Sequence, residues 1–188
     1  YYDNGKSETG LGLAGAPIYW GIMFPAEDLE FYNGTLITKV AVFDYEHHNG
    51  NIMIYYGGNE APEMLIHSQP YNCTGKKEFV EFELTSPIPV DASTNLWIVF
   101  NALNGNYPAP ICKDQGNKNG RWMSTDGENW SYDYLFKWDN LNIHPFNDTV
   151  CADMQMNEPT LRQLLTALMQ QVGCIPIVNI LLPIVSSI

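Results

Sequence analysis

The chain has 188 residues, 45% of them hydrophobic, which is enough for one folded domain with a sizeable core. It carries 21 acidic and 9 basic residues, and this formal charge of −12 argues against binding to nucleic acid or to an anionic membrane surface. No signal peptide is visible and the chain starts at Tyr1 without methionine, which is typical of a mature or excised fragment.

The first elements in chain order are a loop, a strand and one short helical turn. Several glycines between residues 10 and 15 predict a flexible loop, and Pro17 excludes the helix that a phosphate-binding loop requires. Residues 18–24 form an apolar run that predicts a strand. Pro25 followed by acidic residues predicts a single helical turn, because proline suits the first helical position and acids suit the first turn.

The next segment predicts a β-hairpin. Residues 36–45 and 51–56 are apolar strand candidates, and Asn49-Gly50 between them is a strong short-range signal for a hairpin turn. Glu46 with His47 and His48 invites a metal or catalytic interpretation. Adjacent residues of a strand point to opposite faces, however, so a polar hairpin tip is the better prediction.

One strand stands at the centre of the predicted fold. Residues 95–103 are apolar on both alternating faces and rich in aromatic and β-branched side chains, which is typical of a strand covered on both sides. The preceding run, residues 79–84, alternates between apolar and acidic positions, and Pro87 and Pro89 predict a turn after it. We therefore expect the other strands to assemble around residues 95–103.

The remaining aromatic part of the chain predicts a long loop over residues 104–120 and short strands at residues 121–124, 130–134 and 141–146. Short strands separated by turns, without a helix long enough for a crossover, predict an all-β protein with an antiparallel β-sandwich. Jelly-roll (galactose-binding-like) and immunoglobulin-like topologies both remain open.

The composition changes after Phe146, because all tryptophans, tyrosines and phenylalanines lie at or before it. We therefore predict a sandwich domain over residues 1–146 and a tail over residues 147–188, with an amphipathic helix at about residues 159–172 and an extended end. The tail is too short and too interrupted by proline to insert in a membrane. It could pack on the sandwich, begin a linker or be foreign to the domain.

Several motifs recur together in residues 2–146: Tyr2-Asp-Asn-Gly5, Tyr19-Trp-Gly-Ile-Met-Phe-Pro25, Tyr32-Asn-Gly34, Tyr55-Tyr-Gly-Gly58, Asn95-Leu-Trp-Ile98 and Arg121-Trp-Met-Ser-Thr-Asp-Gly127. As a set they resemble secreted Bacteroidetes β-sandwich modules found beside extracellular cysteine peptidases. These modules are similar in architecture to the jelly-roll adhesin domains of gingipain-type proteins. The resemblance implies a secreted or cell-surface, non-catalytic accessory module with neighbouring domains in a larger parent chain. It carries over no ligand-binding residue.

The cysteines and acidic residues suggest no firm site. Cys73 and Cys112 both lie near predicted strand ends, so a disulfide and two free thiols both remain open. No cofactor is certain. Calcium would suit the acidic charge, and an irregular site could use loop carbonyls with Asp114, Asp126 or Glu128, although the EF-hand pattern fails.

The aromatic residues Trp122, Trp130, Tyr132, Tyr134 and Trp138 cluster in sequence near the last predicted loops. Exposed rings beside amide and acid groups stack on sugars in β-sandwich lectins, so Trp122, Trp130, Tyr132 and Asp126 are predicted ligand-binding residues. The alternative is that several of these rings fill the core.

Three functional hypotheses follow from the sequence. The first is a non-catalytic binding or adhesion module for a glycan or an extracellular protein. The second is a structural spacer attached to an extracellular peptidase. The third is a small hydrolase, which is weakest because no GxSxG elbow and no recognisable nucleophile motif are present.

Overall fold

The computed structural model describes residues 2–113, 116–132 and 139–148. Within them the strands, in chain order, are β1 (Thr9–Leu11), β2 (Ile18–Phe24), β3 (Leu36–Phe43), β4 (His47–Tyr56), β5 (Met64–Thr74), β6 (Phe79–Pro89), β7 (Leu96–Ala102), β8 (Ala109–Lys113), β9 (Trp122–Ser124), β10 (Trp130–Ser131), β11 (Asp139–Leu141) and β12 (Ile143–Asp148). Short 3-10 turns occupy Ala26–Asp28, Glu30–Tyr32 and Lys118–Gly120. The predicted helix at residues 159–172 lies outside the described residues.

The strands form one large and two small antiparallel sheets. The six-stranded sheet has the order β10-β9-β2-β7-β4-β5, and the three-stranded sheets have the orders β1-β8-β11 and β12-β3-β6. Asn142 joins the two small sheets, because its carbonyl accepts from the Phe43 N–H and its own N–H donates to the Pro110 carbonyl. The second layer of the molecule is therefore nearly continuous.

The core lies between the six-stranded sheet and the small sheets. Ile22 and Phe100 contribute from the large sheet, and Val40, Val42 and Ile143 contribute from the opposite layer, all fully buried. The predicted all-β antiparallel sandwich is thus confirmed. No helix among the residues that the structure describes has the length and apolar character needed to cross a membrane.

The predicted central strand is also confirmed. Every residue of β7 is buried, and the strand pairs with β2 on one side and β4 on the other. Its alternating side chains serve different clusters: Ile98 and Phe100 face the core, whereas Trp97 and Val99 face the outer side of the large sheet. Strand β7 is therefore apolar on both faces because one face packs in the core and the other packs in a separate apolar cluster.

The predicted hairpin around Asn49-Gly50 is wrong. Strand β3 belongs to a small sheet and β4 to the large sheet, so residues 44–46 carry the chain between layers. Gly50 lies inside β4, opposite Tyr71, and its φ is not positive. A Cβ there would lie 1.8 Å from the Asn101 carbonyl oxygen, so glycine is needed for close approach rather than for a turn.

Three other predictions that rest on proline or glycine are also wrong. Pro87 and Pro89 lie within β6, which is an edge strand, where a missing N–H can face away from the ladder. The predicted loop over residues 104–120 contains β8. Within this strand Pro110 has no N–H to donate, and its carbonyl accepts a hydrogen bond from the Asn142 N–H. The predicted glycine-rich loop near Gly10 contains β1, which pairs with β8.

His48 is buried in β4 rather than exposed at a polar tip. Its Nδ1 lies 2.7 Å from the Glu46 carbonyl and its Nε2 lies 2.8 Å from the Tyr71 hydroxyl. Because a carbonyl only accepts, Nδ1 carries the proton of the neutral ring. Burial lowers the pKa of His48, although the Glu46 carbonyl and the nearby Asp44 carboxylate favour the charged form.

His48 should make the protein less stable in mild acid. Its folded pKa lies below the unfolded value of about 6.5, so the unfolded chain takes up the proton first and stability falls as pH drops through this region. The loss is at most about 1.4 kcal/mol per pH unit. Urea unfolding across this range should show a smaller pH dependence in His48→Gln than in the wild type. The matched variant His47→Gln, at an exposed neighbour, should keep the wild-type dependence; equal slopes in both variants would contradict the assignment.

Candidate functional site

The outer side of the six-stranded sheet carries a second apolar cluster, separate from the core. We call it the outer aromatic face; its members are the buried Met23, Met53, Trp97, Val99 and Trp122 and the partly buried Tyr19, Tyr55, Trp130 and Tyr132. Strand alternation explains it, because these residues occupy the positions between the core-facing ones on β2, β4, β7 and β9. Leu65, opposite Tyr55 and half exposed, extends the same face.

Two tryptophans form the floor of the outer aromatic face. The rings of Trp97 and Trp122 lie 5.1 Å apart, and their exposed fractions are 0% and 3%. Gly21 pairs directly with Trp122, and a Cβ at Gly21 would lie 2.9 Å from the Val99 Cγ2, so the Val99 side chain fills the space beside it. The Trp97 indole N–H donates to the Gly58 carbonyl at 3.1 Å, which fixes its ring. These two rings therefore form a buried aromatic floor, and the hydrogen bond to Gly58 fixes the orientation of one of them.

Partly exposed rings stand on this floor. Trp130 lies 6.0 Å from Trp97, and Tyr132 lies edge-on to Trp122 at 5.0 Å. Tyr55 contributes from β4, where its hydroxyl donates to the Met53 sulfur at 3.4 Å. Burial raises the pKa of Tyr55, and the neighbouring Tyr19 adds to the effect, so the Tyr55 hydroxyl stays protonated at neutral pH.

Asp126 organises the turn between β9 and β10. Its carboxylate accepts hydrogen bonds from the Ser124 hydroxyl, from the backbone N–H groups of Glu128 and Asn129, and from the Asn129 side chain, at 2.8–2.9 Å. These bonds, the side-chain bond of Asn129 first, lower the pKa of Asp126 well below its usual range. The turn then holds Trp130, whose indole N–H donates to the Gly127 carbonyl at 3.1 Å.

The four sequence-predicted residues come together on one hairpin, but in different roles. Trp130 and Tyr132 present partly exposed rings, as a contact role requires. Trp122 is buried in the floor, so the expectation that it exposes a ring face is wrong. Asp126 already has its oxygens engaged within the turn, so it positions Trp130. The other clustered aromatics, Tyr134 and Trp138, lie outside the described residues.

Sequence reasoning missed the members contributed by distant strands. Tyr19, Tyr55 and Trp97 belong to β2, β4 and β7, which only the strand register brings beside the β9–β10 hairpin. A signal did exist, since each alternates with core residues in its own strand. For Trp97 the sequence predicts a strand covered on both faces, and on the outer face the cover consists of aromatic rings.

The polar groups of the outer aromatic face are few and separated. Tyrosine hydroxyls provide both donors and acceptors at its surface. The Trp122 indole N–H, buried in the floor, has no hydrogen-bond partner among the described residues. Broad aromatic surface with a few hydrogen-bonding groups suits the apolar face of a sugar ring and the hydroxyls around it.

The described residues include a contact between a serine hydroxyl and a histidine ring. The Ser86 hydroxyl lies 3.5 Å from the His67 Nδ1. The other ring nitrogen of His67 contacts the Gln69 amide oxygen at 2.9 Å, and an amide cannot stabilise an imidazolium as a carboxylate does. Among the described residues, no three metal-ligating acidic, histidine or cysteine side chains cluster together. Asp114, one of the predicted calcium ligands, lies outside these residues.

The cysteine alternatives are settled in favour of free thiols. Cys73 and Cys112 are both fully buried and unbonded to each other. Burial raises the pKa of Cys112 to about 11, although the backbone N–H of Asn4 favours the thiolate, and burial also raises the pKa of Cys73. Both groups remain protonated at neutral pH and lack nucleophilic character.

Comparison with known proteins gives no relative. No protein-family model, no curated protein and no solved structure matches the chain. The candidate site is therefore defined by its own residues and geometry.

Proposed function

We propose that this protein is a non-catalytic binding module, secreted or held at the cell surface, that binds a glycan through its outer aromatic face. The observation that carries the proposal is the set of partly exposed rings of Tyr19, Tyr55, Trp130 and Tyr132 above a fixed tryptophan floor. Such rings cover the apolar faces of sugar units, and their packing on the floor limits the entropy lost on binding.

The electrostatics support an uncharged ligand better than an anionic one. The chain has a formal charge of −12, and the outer aromatic face contains neutral aromatic, methionine and valine side chains. Neutral sugars need no basic partner, whereas anionic polysaccharides and nucleic acids do. The resemblance of residues 2–146 to secreted accessory modules favours the same class of function, within a larger parent chain.

The proposal predicts that removal of one partly exposed ring weakens glycan binding. The full chain should retain a restricted set of oligosaccharides on a glycan array, and Trp130→Ala and Tyr55→Ala should each weaken that binding about tenfold or more. The matched control is Tyr107→Ala, because Tyr107 is 57% exposed on a different loop. Circular dichroism of each variant separates lost binding from lost folding.

A chelator added to the same array tests the calcium hypothesis. Glycan binding that persists in the presence of the chelator would contradict a requirement for calcium. A blank array with the folded wild-type chain would contradict the glycan proposal. It would favour the second function class, a structural spacer, in which the same rings serve only to cover the sheet.

A further inference from the structure

A second concavity opens at one end of the sandwich, away from the outer aromatic face. It is a cavity of about 510 Å³ between the end of β2, the start of β3, the start of β7 and strand β12. Its walls are formed by Tyr2, Phe24, Asp28, Leu29, Tyr32, Ile37, Val90, Leu96, Pro145 and Phe146. A volume of this size is within the range of small-molecule sites. We call it the end pocket.

Several contacts hold the walls of the end pocket in place. Tyr2 stacks on Phe24 with ring centroids 5.4 Å apart, and its hydroxyl donates to the Met23 carbonyl at 3.0 Å. The next residue, Asp3, is buried and contacts the His144 ring nitrogen at 2.8 Å, which ties this segment to β12. Contacts between residues that are far apart in the sequence therefore fix the walls of the end pocket.

The end pocket combines aromatic walls with a single negative charge. Four of its residues are aromatic, and two of these, Tyr32 and Phe146, are exposed to solvent. Asp28 is its charged member, and lysine, arginine and histidine are absent from its walls. The adjoining segment adds the acidic Glu27 and Glu30 without a compensating base. Aromatic faces and carboxylates both attract cations, and both repel anions.

We propose that the end pocket binds small organic cations with an apolar body, such as arylalkylamines. Asp28 faces the ammonium group, and the rings of Tyr2, Phe24, Tyr32 and Phe146 enclose the apolar part. The Asp28 carboxylate is exposed to solvent at the wall of the pocket, where it attracts a cation, repels an anion and gains nothing from a neutral ligand. The inference is independent of the glycan proposal, because the two sites share no residue.

A titration with two molecules of the same shape tests this charge preference. Phenethylamine is a cation at neutral pH, and 2-phenylethanol is its neutral counterpart with an equal number of heavy atoms. When the methyl groups of the 188-residue chain are labelled, phenethylamine should shift the resonances of Leu29, Val90 and Leu96, and these shifts should saturate. At low ionic strength it should bind about tenfold more tightly than the alcohol. The methyl groups of Val99, on the outer aromatic face, should stay unshifted.

Asp28→Asn should bring the affinities for the amine and the alcohol to within about twofold of each other, because it removes the charge and keeps the shape. The matched control Glu128→Gln removes an equal charge at an exposed position outside the pocket and should keep the preference. Val90→Phe, which fills the cavity, should abolish the binding of both probes. Equal wild-type affinities for the two probes, shifts confined to methyl groups outside the pocket, or an unchanged preference in Asp28→Asn would overturn the proposal.

Discussion

Replacing Gly50 by alanine should lower the free energy of unfolding by about 3 kcal/mol. The added Cβ would lie 1.8 Å from the carbonyl oxygen of Asn101 and 2.8 Å from its side-chain oxygen. The first of these atoms belongs to the backbone of β7, the fully buried central strand, so it cannot move away without disturbing the ladder. Urea unfolding followed by circular dichroism measures the change.

Two further variants separate close approach from turn geometry. Gly50→Asn should be at least as destabilising as Gly50→Ala, because asparagine is larger, whereas a hairpin turn at Asn49-Gly50 would accept asparagine. Gly15→Ala is the control, since its φ is +92° and its Cβ would meet nothing within 4 Å, and it should cost only about 1 kcal/mol. Near-wild-type stability of Gly50→Asn would contradict the register of β4.

Replacing Asp44 by asparagine should have the second largest effect, a loss of about 2–4 kcal/mol. Asp44 is fully buried where the chain passes between layers. Its carboxylate accepts from the backbone N–H groups of Gly75 at 2.7 Å, Thr74 at 2.9 Å and Lys76 at 3.1 Å. An asparagine amide would turn N–H groups toward at least one of these donors, which would then lose its partner.

The contribution of Asp44 should disappear in acid. Burial alone would raise the pKa of Asp44, but the hydrogen bonds from Thr74, Lys76 and Gly75 outweigh it and lower the pKa. The folded pKa therefore lies below the unfolded value of about 3.9, and the stabilisation is present above that value and lost as pH falls through the folded pKa.

Denaturant unfolding at a series of pH values tests this dependence, since the wild-type and Asp44→Asn curves should converge as pH falls. The exposed Asp91 also has a lowered pKa, from bonds with Ser93, and Asp91→Asn should leave stability near that of the wild type. A pH-independent difference between wild type and Asp44→Asn would contradict the assigned cause.

The parts of the fold that could be predicted from sequence are those with a local cause. Strands β2 and β7 were predictable because long apolar runs are bounded by turn residues, and the 3-10 turn after Pro25 follows from local preference. The hairpin at Asn49-Gly50 was mispredicted because glycine has two uses, positive φ and close approach. Only the position of Asn101 in space distinguishes them.

The residues of the candidate site also fall into two groups, those predictable from nearby sequence and those that depend on the pairing of distant strands. Trp130 and Tyr132 were predictable because they are close in sequence to Trp122 and to the turn formed by Asp126. The contributions of Tyr19 and Tyr55 depend on pairing between strands far apart in the chain. The partial exposure of rings on an otherwise buried face depends on packing, which residue type alone does not specify.

The proposed glycan-binding role of the outer aromatic face is tested most directly by a methionine-methyl NMR titration of the full chain with the oligosaccharide that binds most strongly on the array. Met23 and Met53 lie in the outer aromatic face, whereas Met123 lies in the core and Met64 is exposed on β5. We expect the Met23 and Met53 methyl resonances to shift and saturate while those of Met64 and Met123 stay in place. Unchanged Met23 and Met53 resonances, or saturating shifts confined to Met64 or Met123, would contradict binding at this face.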